Sequence, residues 1–389
     1  MVAEGAGRRR YLFISNGHGE DWIGAAIVAQ LPATVEVEAY PMIGAGSAYA
    51  GVCPIVGPRA SLRSGGSRTA KGSLREDLAG GGLGTIPPAL QFLRRIRGYY
   101  DEVVVIGDMV GVIAAYITGH RDLFYVDCYK TGYARLYSAL EKWVIRQSCA
   151  VVISRRQNLA DMLIALGVDA RCGGNIMMDT IPYGDYDAAA RRNRAQAVTL
   201  LPGSRGPTSD NFALQVQALR RLPAELMPDI FVAVAGEVDV NELAGRSGLS
   251  RSPLLSSERA DLGVLVDDQL TIHMARGGAM GNLLAASDLV LSQAGTATTQ
   301  ALGLGRPSIT FVSSADRRSR FEAEQRYFGE ARVETPANAE GIGAALERLL
   351  ADPAERQRLA EIGQARVGGP GALQTILSAL AERHPVEIA

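Results

Sequence analysis

The sequence lacks an excess of charge of either sign. Its 389 residues hold 40 Lys and Arg against 41 Asp and Glu, which leaves a formal net charge of -1. A chain without a basic field does not attract nucleic acid electrostatically, so we expect no nucleic-acid partner. Because 47% of the residues are hydrophobic, the chain is too apolar to be disordered, and it is long enough for two domains.

Cysteine pairs and long hydrophobic runs are scarce as well. The four cysteines form no CxxC and no paired spacing with His, so the sequence predicts neither a disulfide framework nor a metal site. The apolar run Tyr11–Ser15 is too short for a signal-peptide core. The longest run, Val103–Thr118, is broken by Asp108 and is short for a membrane span. We therefore expect a cytoplasmic protein.

Several catalytic signatures are missing. The sequence contains no GxxxxGK[ST] loop, no GxSxG elbow and no HExxH motif. It also has no GxGxxG that follows a strand and precedes an acidic residue about 20 positions later. P-loop, dinucleotide-binding, serine-hydrolase and zinc-peptidase chemistry are therefore not predicted.

Glycine, in contrast, is abundant, with 44 residues. Many glycines allow tight turns and close backbone approaches, which suit an α/β protein that binds phosphate. Apolar strands alternate with helices from Tyr11 to Gly173, and the pattern restarts at Ala197 after the polar segment Pro182–Arg194, a predicted linker. We predict an N-terminal Rossmann-like domain over residues 1–190, a second one over 191–366 and a C-terminal helix within 367–389.

Two segments of the first domain have an open interpretation. Residues 44–84 are rich in Gly, Ser and Arg, which is typical of a mobile loop or lid. Residues 85–99 are predicted as a helix with an apolar face beside three arginines. That helix could touch anionic lipid at a membrane surface, or it could pack on the core with a solvated basic face. The apolar residues are Ala89, Phe92, Leu93 and Ile96, and the basic ones are Arg94, Arg95 and Arg97.

A glycine-rich turn after the first strand contains three titratable side chains. The segment runs Asn16, Gly17, His18, Gly19, Glu20, Asp21. Ligands bind at such strand-to-helix turns in open α/β sheets, and a neutral His can accept a proton from a hydroxyl. The alternative is a His held in the turn by its carboxylate neighbours. Asp108, after the strand VVVIG, is equally a catalytic carboxylate or a helix N-cap.

Two further turns in the second half are suited to phosphate. In the first, Gly203 and Ser204 offer backbone N–H groups and Arg205 a bidentate donor. In the second, a helix start follows the strand LVLS, where N–H groups and the helix dipole bind anions. Its candidate residues are Ser292, Gly295, Thr296, Ala297, Thr298 and Gln300. The alternatives are a turn with a surface arginine and a simple Ser/Thr helix cap.

Taken in order, these motifs resemble the lipid-A-disaccharide synthase family. The series is NGHGED in the first turn, VVVIGD, GGNIMMD at 173–179, LLPGSR, and SQAGTATTQALGLGRP. It is most similar to the lipid-A-disaccharide synthase-related branch, over about residues 11–312. The resemblance implies two Rossmann-like domains facing a cleft, the GT-B glycosyltransferase fold, with a C-terminal helix that returns to the first domain.

The resemblance also implies roles for individual residues. Arg205 and the helix start at Gly295–Thr298 would hold a UDP diphosphate, and Gln300 would face the ribose where many members have Glu. A second family Asp after the VVVIGD-like strand is Gly111 here. The base therefore cannot be copied from the family, and we predict His18, with Asp108 and Glu20 as orienting groups or rivals. Asn16, Gly17, Gly19 and Asp21 are expected to contact the acceptor.

The predicted activity is inverting sugar transfer from a UDP-sugar to the hydroxyl of a lipid-like acceptor, without a metal or a further cofactor. The alternatives are a UDP-sugar 2-epimerase of the same fold and a non-catalytic protein that binds a sugar nucleotide or lipid. A peripheral contact with the inner, cytoplasmic face of the membrane and a homodimer are further expectations.

Overall fold

The structure is a computed structural model that describes residues 8–60, 82–204, 207–236, 238–252, 257–313 and 316–385. The chain forms two compact units. One consists of Met1–Thr180 with Pro370–Ala389, and the other of Ile181–Gly369. Each is an α/β unit built on one mostly parallel sheet.

The strands and helices alternate along both units. The strands are β1 Arg9–Ser15, β2 Val35–Pro41, β3 Glu102–Gly107, β4 Leu123–Asp127, β5 Cys149–Ile153, β6 Asp169–Arg171, β7 Ala197–Leu201, β8 Asp229–Val234, β9 Ser250–Ser252, β10 Asp261–Val266, β11 Thr271–Arg276, β12 Leu289–Ser292, β13 Ser308–Phe311 and β14 Arg332–Thr335. The helices are α1 His18–Val28, α2 Ile86–Arg95, α3 Met109–Ile117, α4 Ala139–Ser148, α5 Gln157–Ile164, α6 Ile176–Asp179, α7 Thr208–Leu219, α8 Val240–Ser247, α9 Met280–Ala285, α10 Thr296–Gly303, α11 Arg318–Phe328, α12 Ala339–Ala351, α13 Pro353–Val367 and α14 Ala372–Arg383.

The sheet of the N-terminal unit has the order β2-β1-β3-β4-β5-β6, and all its strands are parallel. Side chains of β1 alternate between two cores, with Leu12 and Ile14 on one face and Tyr11 and Phe13 on the other. Helices α2 to α5 cover the first face, and α1 and α14 cover the second. The carboxyl ends of β1, β3 and β4 therefore meet at one edge, because parallel strands run in the same direction.

Helix α14 joins this unit although it follows the second unit in sequence. The Asp179 carboxylate accepts the backbone N–H groups of Gly371 at 2.7 Å and Ala372 at 3.0 Å, which caps the start of the helix. A Cβ at Gly173 would lie 1.7 Å from Oγ1 of Thr375. Gly173, at one end of the GGNIMMD motif, thus allows the close contact with α14, and Asp179, at the other end, caps that helix.

The sheet of the second unit has the order β14-β13-β12-β7-β8-β11-β10-β9. Its strands are parallel except that β10 runs antiparallel to both β11 and β9. Ser292 at the end of β12 pairs with Leu201 at the end of β7. The two predicted phosphate turns therefore begin at neighbouring strand ends of one sheet.

Several segments differ from the sequence prediction. The segment 44–84, predicted as a mobile loop or lid, is part of the core near its start. Tyr49 is fully buried, and its hydroxyl occupies the space that a Cβ at Gly24 would need. Residues 61–81 of that segment lie outside the described residues. Helix α2 buries Phe92 and Leu93 in the core and exposes Arg94, which fits the core interpretation of the helix at 85–99.

The predicted linker at 182–194 packs on the second unit. Tyr186 is buried, and the Arg191 guanidinium stacks on its ring at 4.2 Å and pairs with Glu258 and Asp261. The polar composition of this segment thus reflects an ion-pair cluster. In the parts of the chain that the structure describes, no helix is long and apolar enough to cross a membrane.

Candidate active site

The turn after β1 is fixed by buried hydrogen bonds. The Ser15 hydroxyl donates to Oδ1 of Asp21 at 2.6 Å, and the Tyr49 hydroxyl donates to Ser15 at 3.2 Å. Burial raises the pKa of Asp21, while the Ser15 hydrogen bond and the charge of His18 act in the opposite direction. Asp21, predicted to contact the acceptor, is only 1% exposed, so its visible role is to hold the turn.

His18 lies at the solvent-exposed start of α1. Trp22, one turn later, donates its indole N–H to Nε2 of His18 at 3.4 Å, and the two rings meet edge to face. A histidine acts as a general base through an unprotonated ring nitrogen. His18 is therefore accessible to an acceptor, and Trp22 has to release Nε2 if that nitrogen takes the proton.

Glu20 extends over the ends of β1 and β3. A Cβ at Gly17 would lie 2.6 Å from Oε2 of Glu20, and one at Gly107 would lie 2.8 Å from Cγ of Glu20. Gly107 also has a φ of 120°, where a side chain is strained. The two glycines thus make room for this carboxylate at the sheet edge, next to exposed Gly19.

Asp108 connects the loops that follow β1 and β3. Its Oδ1 accepts the Val110 N–H at 2.9 Å, which caps α3, and the Asn16 side-chain amide at 3.1 Å. Among the residues that the structure describes, none donates a hydrogen bond to Oδ2. The carboxylate is therefore a helix cap through one oxygen and keeps the other for an external donor.

Gly111 lies close to the sheet beneath α3. A Cβ at this position would lie 2.7 Å from Cγ1 of Val105. Helix α3 thus packs closely against the sheet at this point, and a side chain at Gly111 would require the Val105 side chain or the helix to shift.

A buried polar cluster at the end of β4 was missed by the sequence analysis. Asp127 accepts the N–H groups of Tyr129 at 2.9 Å and Lys130 at 3.0 Å and the hydroxyl of Tyr137. Burial raises the pKa of Asp127, and these hydrogen bonds oppose the shift. Lys130 pairs with Glu141 at 2.7 Å. The available signal was a carboxylate directly after the apolar run LFYV, and the cluster holds the loop 128–137 in place.

In the second unit, Ser292 and Thr298 use their hydroxyl groups internally. The two hydroxyl oxygens are 2.6 Å apart and buried, and Ser292 also accepts the Ala294 N–H at 3.2 Å. Gly203 has a φ of 100°, and a Cβ there would lie 3.4 Å from the carbonyl oxygen of Gln293. These residues shape the two neighbouring turns, and Ser204 is exposed at the first of them.

The start of α10 is open. Its N-cap residue, Gly295, provides no side-chain cap, and a Cβ built there would meet no atom within 4 Å. The first hydrogen bond of the helix runs from the Thr299 N–H to the Gly295 carbonyl. The N–H groups of Thr296, Ala297 and Thr298 therefore precede the helical hydrogen bonds and carry the positive end of the helix dipole. The alternative interpretation, a simple Ser/Thr helix cap, is not found at Gly295.

Arg205 and Gln300 are the remaining predicted residues, and Arg276 is an addition from the structure. Arg205 lies outside the described residues, so its contact with phosphate stays a prediction. Gln300 is buried, at 2% exposure. Arg276, which was not predicted, ends β11 at the same sheet edge and donates to the Val238 carbonyl. It was missed because β11 itself was missed.

No protein-family model and no curated protein matches this sequence. Solved structures do match its fold. The Staphylococcus aureus MnaA–UDP co-structure is similar with a TM-score of 0.56 and 14% identity, and covers 96% of both chains. A UDP-N-acetylglucosamine 2-epimerase is similar with a TM-score of 0.55 and 12% identity, and covers 97% of both chains.

A third structure, a UDP-glucosyltransferase from Polygonum tinctorium, has a TM-score of 0.57 and 12% identity, and covers 97% of this chain and 99% of its own. At this level of identity the likeness concerns the fold alone. The chain has the two α/β domains with parallel sheets of the GT-B fold, which confirms the predicted fold class.

Proposed function

We propose that this protein is an inverting, metal-independent glycosyltransferase that moves a sugar from a UDP-sugar to the hydroxyl of a lipid-like acceptor. The observation that carries the proposal is the uncapped start of α10, next to the glycine turn that follows β7. Unpaired N–H groups at a helix start bind a diphosphate in the absence of a cation. The fold, shared with proteins whose names include UDP, supports the same ligand.

The donor half of the reaction uses the second unit. The N–H groups at Thr296–Thr298, with Arg205, would stabilise the negative charge that develops on the departing UDP. Because these dipoles are fixed before the reaction, they need no reorganisation when the bond between the sugar carbon and the diphosphate oxygen breaks. The diphosphate leaves with the electron pair of that bond.

The acceptor half uses the carboxyl edge of the N-terminal unit. A base removes the proton of the acceptor hydroxyl as its oxygen attacks the sugar carbon from the face opposite the diphosphate, which inverts the configuration. His18 is the proposed base, with Asp108 and Glu20 as the rivals. Oδ2 of Asp108 is a second acceptor for the same proton, because Oδ1 already bonds Val110 and Asn16.

The test is UDP release by the purified full-length chain with a panel of UDP-sugars, with and without a lipid extract. The proposal requires release that depends on both donor and lipid. Product analysis should show a new glycolipid of inverted anomeric configuration. UDP binding without turnover of any donor would instead indicate a non-catalytic binding protein.

A UDP-sugar 2-epimerase is the second candidate, since proteins with that name share the fold. An epimerase needs no acceptor. Incubation with each UDP-sugar alone, followed by separation of the sugar nucleotides, distinguishes the two reactions. An epimer formed without lipid and without UDP release would replace the transferase proposal.

A further inference from the structure

Exposed large apolar side chains are concentrated in the N-terminal unit. Of the fourteen large hydrophobic side chains that are exposed among the described residues, thirteen belong to this unit. Four of the exposed residues, Ile117, Leu136, Leu140 and Trp143, form with half-buried Tyr116 what we call the α3–α4 face. Leu140 is the most exposed of the fourteen, at 63%, and Trp143 is 51% exposed. Such side chains in a cluster mark a contact surface, whereas scattered ones do not.

Tyr116, Leu140 and Trp143 form the centre of the α3–α4 face. The rings of Tyr116 and Trp143 meet edge to face at 5.5 Å and join α3 to α4. Leu140 and Trp143 are three positions apart on α4, which places them on one side of the helix, and exposed Leu136 lies in the loop just before it. Helix α3, MVGVIAAYI, contains no charged residue although both Val110 and Ile117 are exposed. A surface helix of a globular protein ordinarily has a charged outer side.

Basic side chains surround this face. Arg121 stacks on the Tyr116 ring at 4.4 Å, and Arg135 stacks on the Tyr129 ring at the same distance. Lys142 and Arg146 flank Trp143 on α4. The nearby acidic groups are Glu141, which pairs with Lys130, and Asp122. The rim is therefore mainly positive.

We propose that the α3–α4 face lies on an anionic phospholipid bilayer. Leu and Trp side chains enter the boundary between headgroups and acyl chains, while Arg and Lys reach the lipid phosphates. A second copy of this chain fits less well, because a symmetric contact would bring two positive rims together. This surface differs from the helix at 85–99, whose apolar residues Phe92 and Leu93 are buried.

The surface also leads to the candidate site. Helix α3 begins at the Asp108 cap and ends at Ile117, a length of about 13 Å. A bilayer on the α3–α4 face would place lipid headgroups within that distance of the Asp108 carboxylate. Only this link between the bilayer and the candidate site rests on the proposed function, because it takes the acceptor to be a membrane lipid.

The two tryptophans of the chain allow a direct test. Trp143 lies on the α3–α4 face, and Trp22, which is 58% exposed, lies on a helix that covers the other side of the sheet. In the variant Trp22→Phe only Trp143 emits, and in Trp143→Phe only Trp22 emits. With vesicles of phosphatidylcholine and phosphatidylglycerol, we expect the emission of Trp143 alone to move to shorter wavelength. Vesicles of phosphatidylcholine alone should have a much smaller effect.

Flotation with the same vesicles measures binding of the full chain. Leu140→Glu should weaken it by about tenfold or more, since a charge replaces the exposed leucine that would enter the bilayer. Lys142→Glu should weaken it at least about fivefold, and 0.5 M salt should remove most of the remainder. Ile164→Glu on α5, exposed to 51%, is the matched control. Thermal unfolding verifies that each variant is folded.

Three outcomes would overturn the proposal. One is an unchanged Trp143 spectrum in the presence of anionic vesicles. Another is an equal change at Trp22. The third is a change that needs no vesicles and grows with protein concentration, which would assign the face to a second copy. No sugar donor is present, so these outcomes are independent of whether transfer occurs.

Discussion

Gly295 offers a precise test of the diphosphate site, because a side chain there enters open space at the start of α10. The backbone at this residue has a φ of -89°, which any residue adopts, and a Cβ meets no atom within 4 Å. Gly295→Asp should therefore fold. A carboxylate at a helix start also stabilises the helix, by about 0.3–1 kcal/mol.

The same carboxylate should repel a bound diphosphate. At a separation of about 5 Å and an effective dielectric constant of about 20, the repulsion between two unit charges is about 3 kcal/mol. That energy corresponds to an increase of about two orders of magnitude in the dissociation constant for UDP. We thus expect a variant that is as stable as the parent or more stable, and that loses UDP.

Isothermal titration with UDP and urea unfolding give the two quantities. Gly295→Asn is the matched control, since it has the size of Asp without the charge and should retain UDP binding within about fivefold. Raising the salt concentration should narrow the difference between the Asp and Asn variants. UDP affinity that is equal in all three proteins would refute the assignment of the diphosphate to this helix.

Three further predictions concern the base, the C-terminal helix and pH. His18→Ala should lower the rate of sugar transfer by about 10²–10⁴-fold with UDP affinity unchanged. If transfer is unaffected, and Asp108→Asn abolishes it, the base is Asp108. Asp179→Ala should lower the free energy of unfolding in urea by about 1–2 kcal/mol, because α14 loses its cap, and Asp179→Asn should lose less. Burial lowers the pKa of His120, whose Nε2–H donates to the Leu93 carbonyl, so the folded chain binds fewer protons than the unfolded one and stability should fall below about pH 6.5. His120→Gln should reduce that slope, and a slope unchanged by the substitution would contradict the assignment.

The sequence predicts the buried parallel strands well for a physical reason. Strands covered by helices on both faces are continuous apolar runs that end in polar turns. Strands β3, β4, β7 and β12 are such runs, with the sequences EVVVIG, LFYVD, AVTLL and LVLS. Each of them lies inside its sheet, between two neighbours.

The missed elements are polar for equally physical reasons. Strand β14, RVET, lies at a sheet edge, where one side of the strand is not covered by another. Helix α11, RSRFEAEQRYF, buries only Phe321, Tyr327 and Phe328, so its apolar pattern is weak. The contacts that bury them come from elsewhere in the fold, and no local pattern contains that information.

The candidate site shows the same limit at the level of atoms. Sequence position identifies the residues that follow the strands, but only the fold shows which of their polar atoms are already used. The side chains of Ser292, Thr298 and Asp21 form hydrogen bonds within their own turns. The N–H groups at the start of α10 and Oδ2 of Asp108 are instead available to a ligand.

This distinction changes how the two halves of the site should be regarded. On the donor side the hydroxyls of Ser292 and Thr298 hydrogen-bond within the turn, and the proposed binding group is the backbone at the start of α10. Truncating those side chains would therefore weaken the turn and the proposed UDP site together. On the acceptor side each carboxylate has a different structural role. Asp108 caps α3, Asp21 accepts the Ser15 hydroxyl in the first turn, and Glu20 packs against Gly17 and Gly107. A loss of activity after removing one of them identifies a base only if the helix or turn that it supports is shown to persist. Isosteric amides, which keep one acceptor oxygen for the structural bond, therefore separate catalysis from folding in a way that alanine cannot.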